Sequence, residues 1–124
     1  MLKWVVAAAA LVAVPVTASA QDAEAGAAVF KKCAACHQIG PNAKNGLGPS
    51  LQCVAGKQAG HHEGYNYSDA VKNSGLTWTD EHLLAWFEKD DAVIKGNKMI
   101  FPAGIKNEED RVNLLAYIKA QCTE

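Results

Sequence analysis

Apolar residues recur at helical spacing close to the start of the 124-residue chain. Asp22 can cap a helix, and Ala25, Val29 and Phe30 then follow at helical spacing as far as Cys33. The stretch from Asp22 to Cys33 is therefore predicted to contain an amphipathic helix.

A second helical pattern occupies the C-terminal end. Asn107 is followed by three acidic residues, which predicts the start of a last helix because acids favour a helix N-terminus. Its apolar stripe comprises Val112, Leu115, Ala116 and Ile118, with Leu114 and Tyr117 beside it. This stripe is the face that we expect to pack against the rest of the domain.

Between these patterns the chain is mostly irregular. Ser68 is predicted to cap a short helix that ends near Asn73, and Thr79 another that ends near Lys89. Residues 38–66 are rich in Gly, Asn and Pro, and a loop of that length in a compact domain indicates a function. Since strand patterns are nearly absent, we predict an all-α fold of short helices and long loops.

The first 20 residues, MLKWVVAAAALVAVPVTASA, are predicted to be a cleaved signal peptide. Lys3 precedes an apolar run that ends near Val14, and Ala18-Ser19-Ala20 supplies small residues for cleavage. The run is too short for a membrane anchor, which needs about 20 apolar residues, and Pro15 interrupts it. Residues 21–124 should then form one exported domain, in a bacterial periplasm where disulfides persist.

Charge and size narrow the partners of this domain. Lys3 is the only charged residue of the leader, so the rest of the chain has 11 basic and 13 acidic residues and a net charge of −2. Nucleic acid is excluded as an expected partner because there is no basic excess to neutralise phosphates. A few short helices around long loops would pack better on a large, flat, apolar cofactor than on one another.

Cys33-Ala34-Ala35-Cys36-His37 carries the most specific chemistry in the sequence. Three interpretations compete: a redox dithiol, a zinc site and a covalently held haem. A dithiol motif would need a βαβ setting, and zinc would need two further ligands at suitable spacing. C-x-x-C-H is the haem attachment pattern, with the two thiols bonded to the porphyrin and His37 directed towards the iron. We therefore predict one covalently bound haem c, with its iron, per chain.

Met99 is the candidate for the second axial ligand. It lies in the segment GNKMIFP, and the other methionine, Met1, belongs to the predicted leader. A lone methionine can instead fill a gap in a core. In a chain that already carries a haem motif, Met99 is predicted to ligate the iron through its sulfur, since His/Met ligation is an established haem arrangement.

From residue 22 to residue 122 the sequence resembles the class I c-type cytochromes, of the bacterial soluble kind close to mitochondrial cytochrome c. The segments that carry the resemblance are CAACH, GLGPSL, NYSDAVKNSGLTW, GNKMIFPAG and LLAYIKAQ. The resemblance implies an all-α domain wrapped around one haem, with His37 and Met99 as axial ligands and thioethers from Cys33 and Cys36.

The resemblance also implies roles for residues that the motifs alone do not explain. The Pro49 carbonyl would accept a hydrogen bond from the His37 ring, and Tyr67 and Trp78 would bind a haem propionate. Gly26 would lie where the first and last helices cross. Lys57, Val71 and Trp86 depart from the arginine, polar residue and tyrosine usual in the family, so the resemblance does not predict the reduction potential.

Three histidines and two cysteines remain outside these motifs, and His82, on the polar side of its helix, is interpreted as a surface residue. His61 and His62 match no motif and are interpreted as solvated surface residues. Cys53 stands where the family usually has glycine, and Cys122 ends the last helix. An even pair in an exported chain favours a disulfide, while a buried inert thiol at Cys53 and an exposed, dimer-forming thiol at Cys122 are the alternatives.

With both axial positions filled, the expected function is one-electron transport between membrane redox complexes, without enzymatic activity. The expected donor is a complex such as cytochrome bc, and the acceptor a terminal oxidase or photosynthetic reaction centre. The chain should act as a monomer without stable membrane insertion. The alternative is a haem peroxidase or gas-binding sensor with a labile sixth ligand.

A positive face around the haem motif is expected to guide docking to such partners. Lys32 flanks the motif and Lys98 precedes Met99. The lysines at 44, 95 and 106 lie in loops that the family's fold would bring near the same face. This arrangement would steer the protein to acidic surfaces.

Overall fold

The computed structural model describes residues 22–123, so the predicted leader lies outside the described residues. Five helices occur in this part of the chain, together with one isolated bridge between Gln58 and Thr77 in place of any strand. The helices are α1 (Ala23–Phe30), α2 (Asp69–Lys72), α3 (Asp80–Glu88), α4 (Asp90–Val93) and α5 (Glu108–Ala120). The all-α prediction is confirmed.

Side-chain caps fix where four of the helices begin. Asp22, Ser68, Thr79 and Asn107 each accept a hydrogen bond from a backbone N–H two or three residues later. These are the residues that the sequence predicted to be caps. The helix that sequence reasoning missed is α4, which has four residues and no side-chain cap.

The crossing of α1 with α5 is the main helix–helix contact. A Cβ on Gly26 would collide with the backbone carbonyl of Asn113 and lie 2.7 Å from the Cβ of Tyr117. Phe30 and Tyr117 pack as a tilted pair with ring centroids 5.4 Å apart. Leu114 of α5 is fully buried, with 0% of its surface exposed.

The buried face of α5 differs from the predicted stripe. Leu115 and Ile118 are buried as expected, but Asn113 and Leu114 are buried in place of Val112 and Ala116. Asn113 can be buried because its Oδ1 accepts a hydrogen bond of 3.0 Å from the backbone N–H at position 22. This polar contact joins the start of α1 to the middle of α5.

A disulfide joins the long loop to the chain segment after α5. Cys53 and Cys122 are bonded, with their Cα atoms 4.7 Å apart, within the roughly 4.4–6.8 Å usual for disulfides. Beside the bond, the Gln52 side-chain amide donates to the carbonyl oxygens of Gln121 and Thr123. The predicted pairing is confirmed, and it holds the end of α5 against the loop.

None of the helices in residues 22–123 is both long enough and apolar enough to cross a bilayer.

Candidate haem-binding site

The motif cysteines lie on a tight turn that continues from α1. After Phe30 the chain forms backbone hydrogen bonds between residues three apart. The Cys33 N–H, for example, donates to the Phe30 carbonyl at 2.7 Å. The Cys36 and His37 N–H groups both donate to the Cys33 carbonyl. The helix therefore ends at Phe30, short of the predicted Cys33, and the turn brings both cysteines to one cavity.

The two thiols have different surroundings. Cys33 is half-buried, whereas Cys36 is exposed. Burial raises the pKa of the Cys33 thiol to about 11, with a smaller contribution from nearby Cys36, while Lys32 acts in the opposite direction. Cys33 is thus a neutral thiol at neutral pH.

His37 is held by the backbone that follows the motif. Its Nδ1–H donates to the carbonyl of Pro49 at 2.8 Å, as expected from the sequence. Burial lowers the pKa of His37, and the hydrogen bond to Pro49 partly opposes this. With Nδ1 occupied as a donor, Nε2 is left with the lone pair that a metal ligand needs.

Gly48 allows the backbone to pass against the imidazole. A Cβ at this position would lie 2.7 Å from the Nδ1 of His37, which is too close for any side chain. The Gly48 N–H also donates to the Cys36 carbonyl at 2.7 Å. The ring is therefore fixed between its own motif and the Gly48–Pro49 backbone.

A mainly apolar cavity of about 400 Å³ lies next to His37. This volume is within the roughly 300–1,000 Å³ typical of ligand pockets. Most of the residues that line it are apolar, among them Leu51, Val54 and Phe87. All six predicted site residues line it: Cys33, Cys36, His37, Tyr67, Trp78 and Met99.

Met99 reaches this cavity from a short polar turn. Its backbone N–H donates to the Asn97 side-chain oxygen at 2.8 Å, and the Asn97 amide donates to the Ile94 carbonyl at 2.9 Å. Met99 is half-buried, while the neighbouring Ile100 is 90% exposed. Both residues border the cavity, with Met99 the more buried and Ile100 the more exposed of the two.

Aromatic side chains form another part of the cavity wall. Trp78 is buried and packs edge-on against Trp86, with ring centroids 5.1 Å apart. Tyr67 is half-buried, and its hydroxyl oxygen accepts a hydrogen bond of 3.2 Å from the His62 N–H. Burial raises the pKa of Tyr67, so the phenol stays protonated at neutral pH and can still donate.

The interpretation of His61 and His62 as solvated surface residues is wrong. Both are half-buried, their rings stack with centroids 4.0 Å apart, and both line the apolar cavity. The Nε2 atom of His62 is buried and has no hydrogen-bond partner among residues 22–123. Their nearness in sequence to Tyr67 was the one signal that could have placed them here.

Comparison with known proteins agrees with this geometry. The family model described as cytochrome c matches residues 23–121. The chain belongs to the cytochrome c family. It is 54% identical over 99 residues to cytochrome c2 of Rhodoblastus acidophilus, covering 80% of this chain and 92% of that protein. It is 52% identical over 102 residues to cytochrome c2 of Blastochloris viridis, covering 82% and 80%.

A solved structure has the same fold. Cytochrome c2 from Rhodospirillum centenum superposes with a TM-score of 0.77 at 37% identity, covering 82% of this chain and 99% of that one. The present protein is thus a class I c-type cytochrome with the cytochrome c fold. It carries electrons by means of one covalently attached haem c and its iron.

The residues of the cavity fit this prosthetic group. Two thiols, an imidazole with a free Nε2 and a thioether line one apolar space, which suits a porphyrin and its iron. The partnerless Nε2 of His62 suits the polar edge of such a group. The zinc alternative lacks a ligand set, because residues 22–123 contain no cluster of three metal-binding side chains and Cys53 is used in the disulfide.

The cavity opens between apolar and basic side chains of this cytochrome. Leu47 and Ile100 line it and are 81% and 90% exposed. Lys32 and Lys98, both exposed, also line it, whereas Lys44 borders a separate polar cavity. Two of the five lysines expected on a docking face are therefore at the haem cavity itself.

Proposed function

We propose that this cytochrome is a periplasmic one-electron carrier whose haem iron is ligated by His37 and Met99. The observation that carries the proposal is the lining of a single cavity by His37, Met99 and both motif cysteines. His37 is also oriented for this role, since its Nδ1–H donates to the Pro49 carbonyl and its Nε2 keeps a lone pair for the iron.

Each residue has a separate task in this proposal. Cys33 and Cys36 form the thioethers that retain the group in the periplasm. Tyr67 and Trp78 donate hydrogen bonds to a propionate. His37 and Met99 close both axial positions, which leaves no place for a substrate or for oxygen. The cytochrome is accordingly not an enzyme in its own right.

The bound haem supplies a ferrous/ferric couple that exchanges single electrons. Fixed ligands serve this exchange because the protein needs little rearrangement between the two oxidation states. Gly48 and Pro49 hold the His37 ring, and Asn97 holds the Met99 backbone. Sulfur ligation favours the ferrous state and raises the reduction potential.

The expected partners are membrane redox complexes. A donor such as a cytochrome bc complex and an acceptor such as a terminal oxidase or photosynthetic reaction centre suit a carrier with Lys32 and Lys98 at its haem cavity. The chain would act as a monomer after cleavage behind Ala20. The basis for export is the signal-peptide pattern of the first 20 residues.

Replacement of Met99 by alanine tests the ligand assignment. In Met99→Ala, covalent haem should be retained, the potential should fall by on the order of 0.1–0.3 V within the roughly 0.8 V that axial ligands span, and carbon monoxide should bind at neutral pH. Absorbance spectra, redox titration and the intact mass of the exported protein report these properties, and the mass also gives the cleavage site.

Ile100→Ala is the matched control, because Ile100 is adjacent to Met99 and borders the same cavity, but it is exposed and has no atom that could ligate iron. It should keep the wild-type spectrum and potential. If Met99→Ala also keeps them, another residue is the ligand. If the wild-type protein binds carbon monoxide at neutral pH, the sixth position is labile, as in a haem peroxidase or gas sensor.

A further inference from the structure

His61 and His62 lie between two cavities of the cytochrome. Besides the apolar haem cavity, both line a polar cavity of about 510 Å³. Lys44, Lys57 and Glu63 are the charged residues of the polar cavity. The histidine pair is thus in reach of the haem on one side and of solvent and charged side chains on the other.

In His62, one ring nitrogen lacks a hydrogen bond to the rest of the described chain. Its buried Nε2 has no partner among residues 22–123, and leaving a buried polar atom without a hydrogen bond destabilises a folded protein. Because His62 lines both cavities, a hydrogen-bond partner for its Nε2 would have to be a group bound in one of them. The carboxylates of the haem propionates are the acceptors that the cofactor provides.

The neighbours of His62 point to the same acceptor. Its backbone N–H bonds to the hydroxyl oxygen of Tyr67, which has its own proton to donate. Lys57 is close enough to lower the pKa of both histidines through its positive charge. A carboxylate would therefore meet two neutral donors and a positive field.

We propose that His62 donates a hydrogen bond from Nε2 to a haem propionate and that its second ring nitrogen, Nδ1, takes up a proton when the cytochrome accepts an electron. This rests on the proposed placement of the propionate beside Tyr67. One electron comes from the redox donor and one proton from a hydronium ion of the solvent. The Nδ1–H bond forms as an O–H bond of the hydronium ion breaks, which leaves water, and oxidation reverses both transfers.

The charges around His62 determine the sign of the effect. An added electron removes one positive charge from the haem iron, so the imidazolium is more stable in the reduced protein and the pKa of His62 is higher there. The reduction potential must then fall as pH rises between the oxidised-state and reduced-state pKa values. Protonation at low pH favours the reduced form.

The surrounding groups set where this window lies. Burial lowers the pKa of His62, the charges of His61 and Lys57 lower it further, and the Gln52 backbone carbonyl acts in the opposite direction by accepting a hydrogen bond. A propionate carboxylate would also favour the imidazolium. With rings only 4.0 Å apart, His61 and His62 do not both become charged readily. The residues around His62 together lower its pKa, so they move the window towards lower pH than for a free histidine.

The test is the reduction potential of the haem-loaded protein measured against pH by spectroelectrochemistry. In the wild type, the potential should fall with pH across this window, with a limiting slope of about 59 mV for each tenfold change in proton concentration. His62→Gln keeps a hydrogen-bond donor but cannot titrate, so its potential should be nearly independent of pH there. His82→Gln is the control, since His82 lines neither cavity, and it should behave as the wild type.

Two further measurements separate the possible outcomes. The His62 pKa, measured by NMR in wild-type protein, should be higher in the reduced than in the oxidised state, and this holds even if a variant fails to fold. Equal values, or a wild-type pH dependence in His62→Gln, would overturn the proposal. Loss of the dependence in His61→Gln alone would also overturn it, because the titrating group would be His61. The absorbance spectrum reports the axial ligands independently, so an error in the His37/Met99 assignment would be recognised separately.

Discussion

At the scale of single residues, Cys53 combines a strained backbone with a covalent bond. Its φ of 52° is the one positive φ at a non-glycine position among the described residues. A left-handed conformation costs a residue with a Cβ on the order of 1–3 kcal/mol. The disulfide to Cys122 therefore holds Cys53 in a conformation that a residue with a Cβ disfavours.

This strain predicts an unusual order of stability in variants that lack the disulfide. With Cys122→Ala in all of them, Cys53→Gly should be more stable than Cys53→Ala by about 1 kcal/mol, because glycine adopts positive φ without strain. Both should be less stable than the wild type by up to about 4 kcal/mol, the chain-entropy estimate for this loop length. Chemical denaturation of the haem-loaded proteins measures both differences.

Position 122 provides the control for this comparison, since its φ is not positive. In a Cys53→Ala background, Cys122→Gly should be no more stable than Cys122→Ala. If glycine and alanine are equivalent at position 53 as well, the backbone there is not strained.

Individual residues of the site differ in whether the sequence alone can predict them. Cys33, Cys36 and His37 were predicted because their chemistry depends on spacing along the chain, and Met99 because it is the only methionine after the leader. His61 and His62 were misjudged because their burial depends on which distant segments cover them. The unpaired Nε2 of His62 could be recognised only from the fold.

At the scale of the helices, the crossing of α1 and α5 depends on Gly26. The absence of a Cβ lets the two backbones approach, and the bond from the Asn113 side chain to the backbone at position 22 fixes their relative position. Helix bounds were predictable where a polar cap precedes an apolar pattern. The short α4 has no such cap, and the buried face of α5 is shifted because Asn113 is satisfied by a partner far away in sequence.

Gly26→Ala should therefore destabilise the cytochrome. The new methyl group would overlap the Asn113 carbonyl, and overpacking of this kind costs about 1–3 kcal/mol even though alanine favours a helix. The free energy of unfolding, measured by denaturant titration, should fall by that amount. Gly46→Ala is the control, because its nearest contact would be 3.8 Å away and its φ is not positive; a change within about 0.5 kcal/mol is expected. A neutral Gly26→Ala would show that the helices can separate at little cost.

At the scale of the whole molecule, the cavity opening combines positive charge with exposed apolar groups, although the net charge beyond the leader is negative. Lys32 and Lys98 border the opening, whereas three acids lie in the first turn of α5. Such an uneven distribution directs association without requiring an overall positive charge.

Lys98→Glu should slow association with a redox partner at low salt. We expect the association rate constant to fall by up to about tenfold where the Debye length is about 30 Å, and to approach the wild-type value at 1 M salt, where it is about 3 Å. Stopped-flow kinetics with an isolated acceptor complex measures this rate. Lys119→Glu reverses the same charge at a residue that does not line the cavity and is paired with Asp80, and it should have a smaller effect. Equal effects, or rates independent of salt, would argue against a docking face at the cavity.

The bond between Cys53 and Cys122 also changes how the chain is connected. It closes a covalent ring over a sequence separation of 69 residues, and the ring contains Met99, while His37 and both motif cysteines lie on the branch before it. A protease that cuts the backbone once inside this ring opens it without dividing the molecule. The segment with Met99 then stays tethered to the segment with Cys33, Cys36 and His37, at the high effective concentration of an intramolecular partner. When the disulfide is reduced, the same cut leaves two chains with no covalent bond between them.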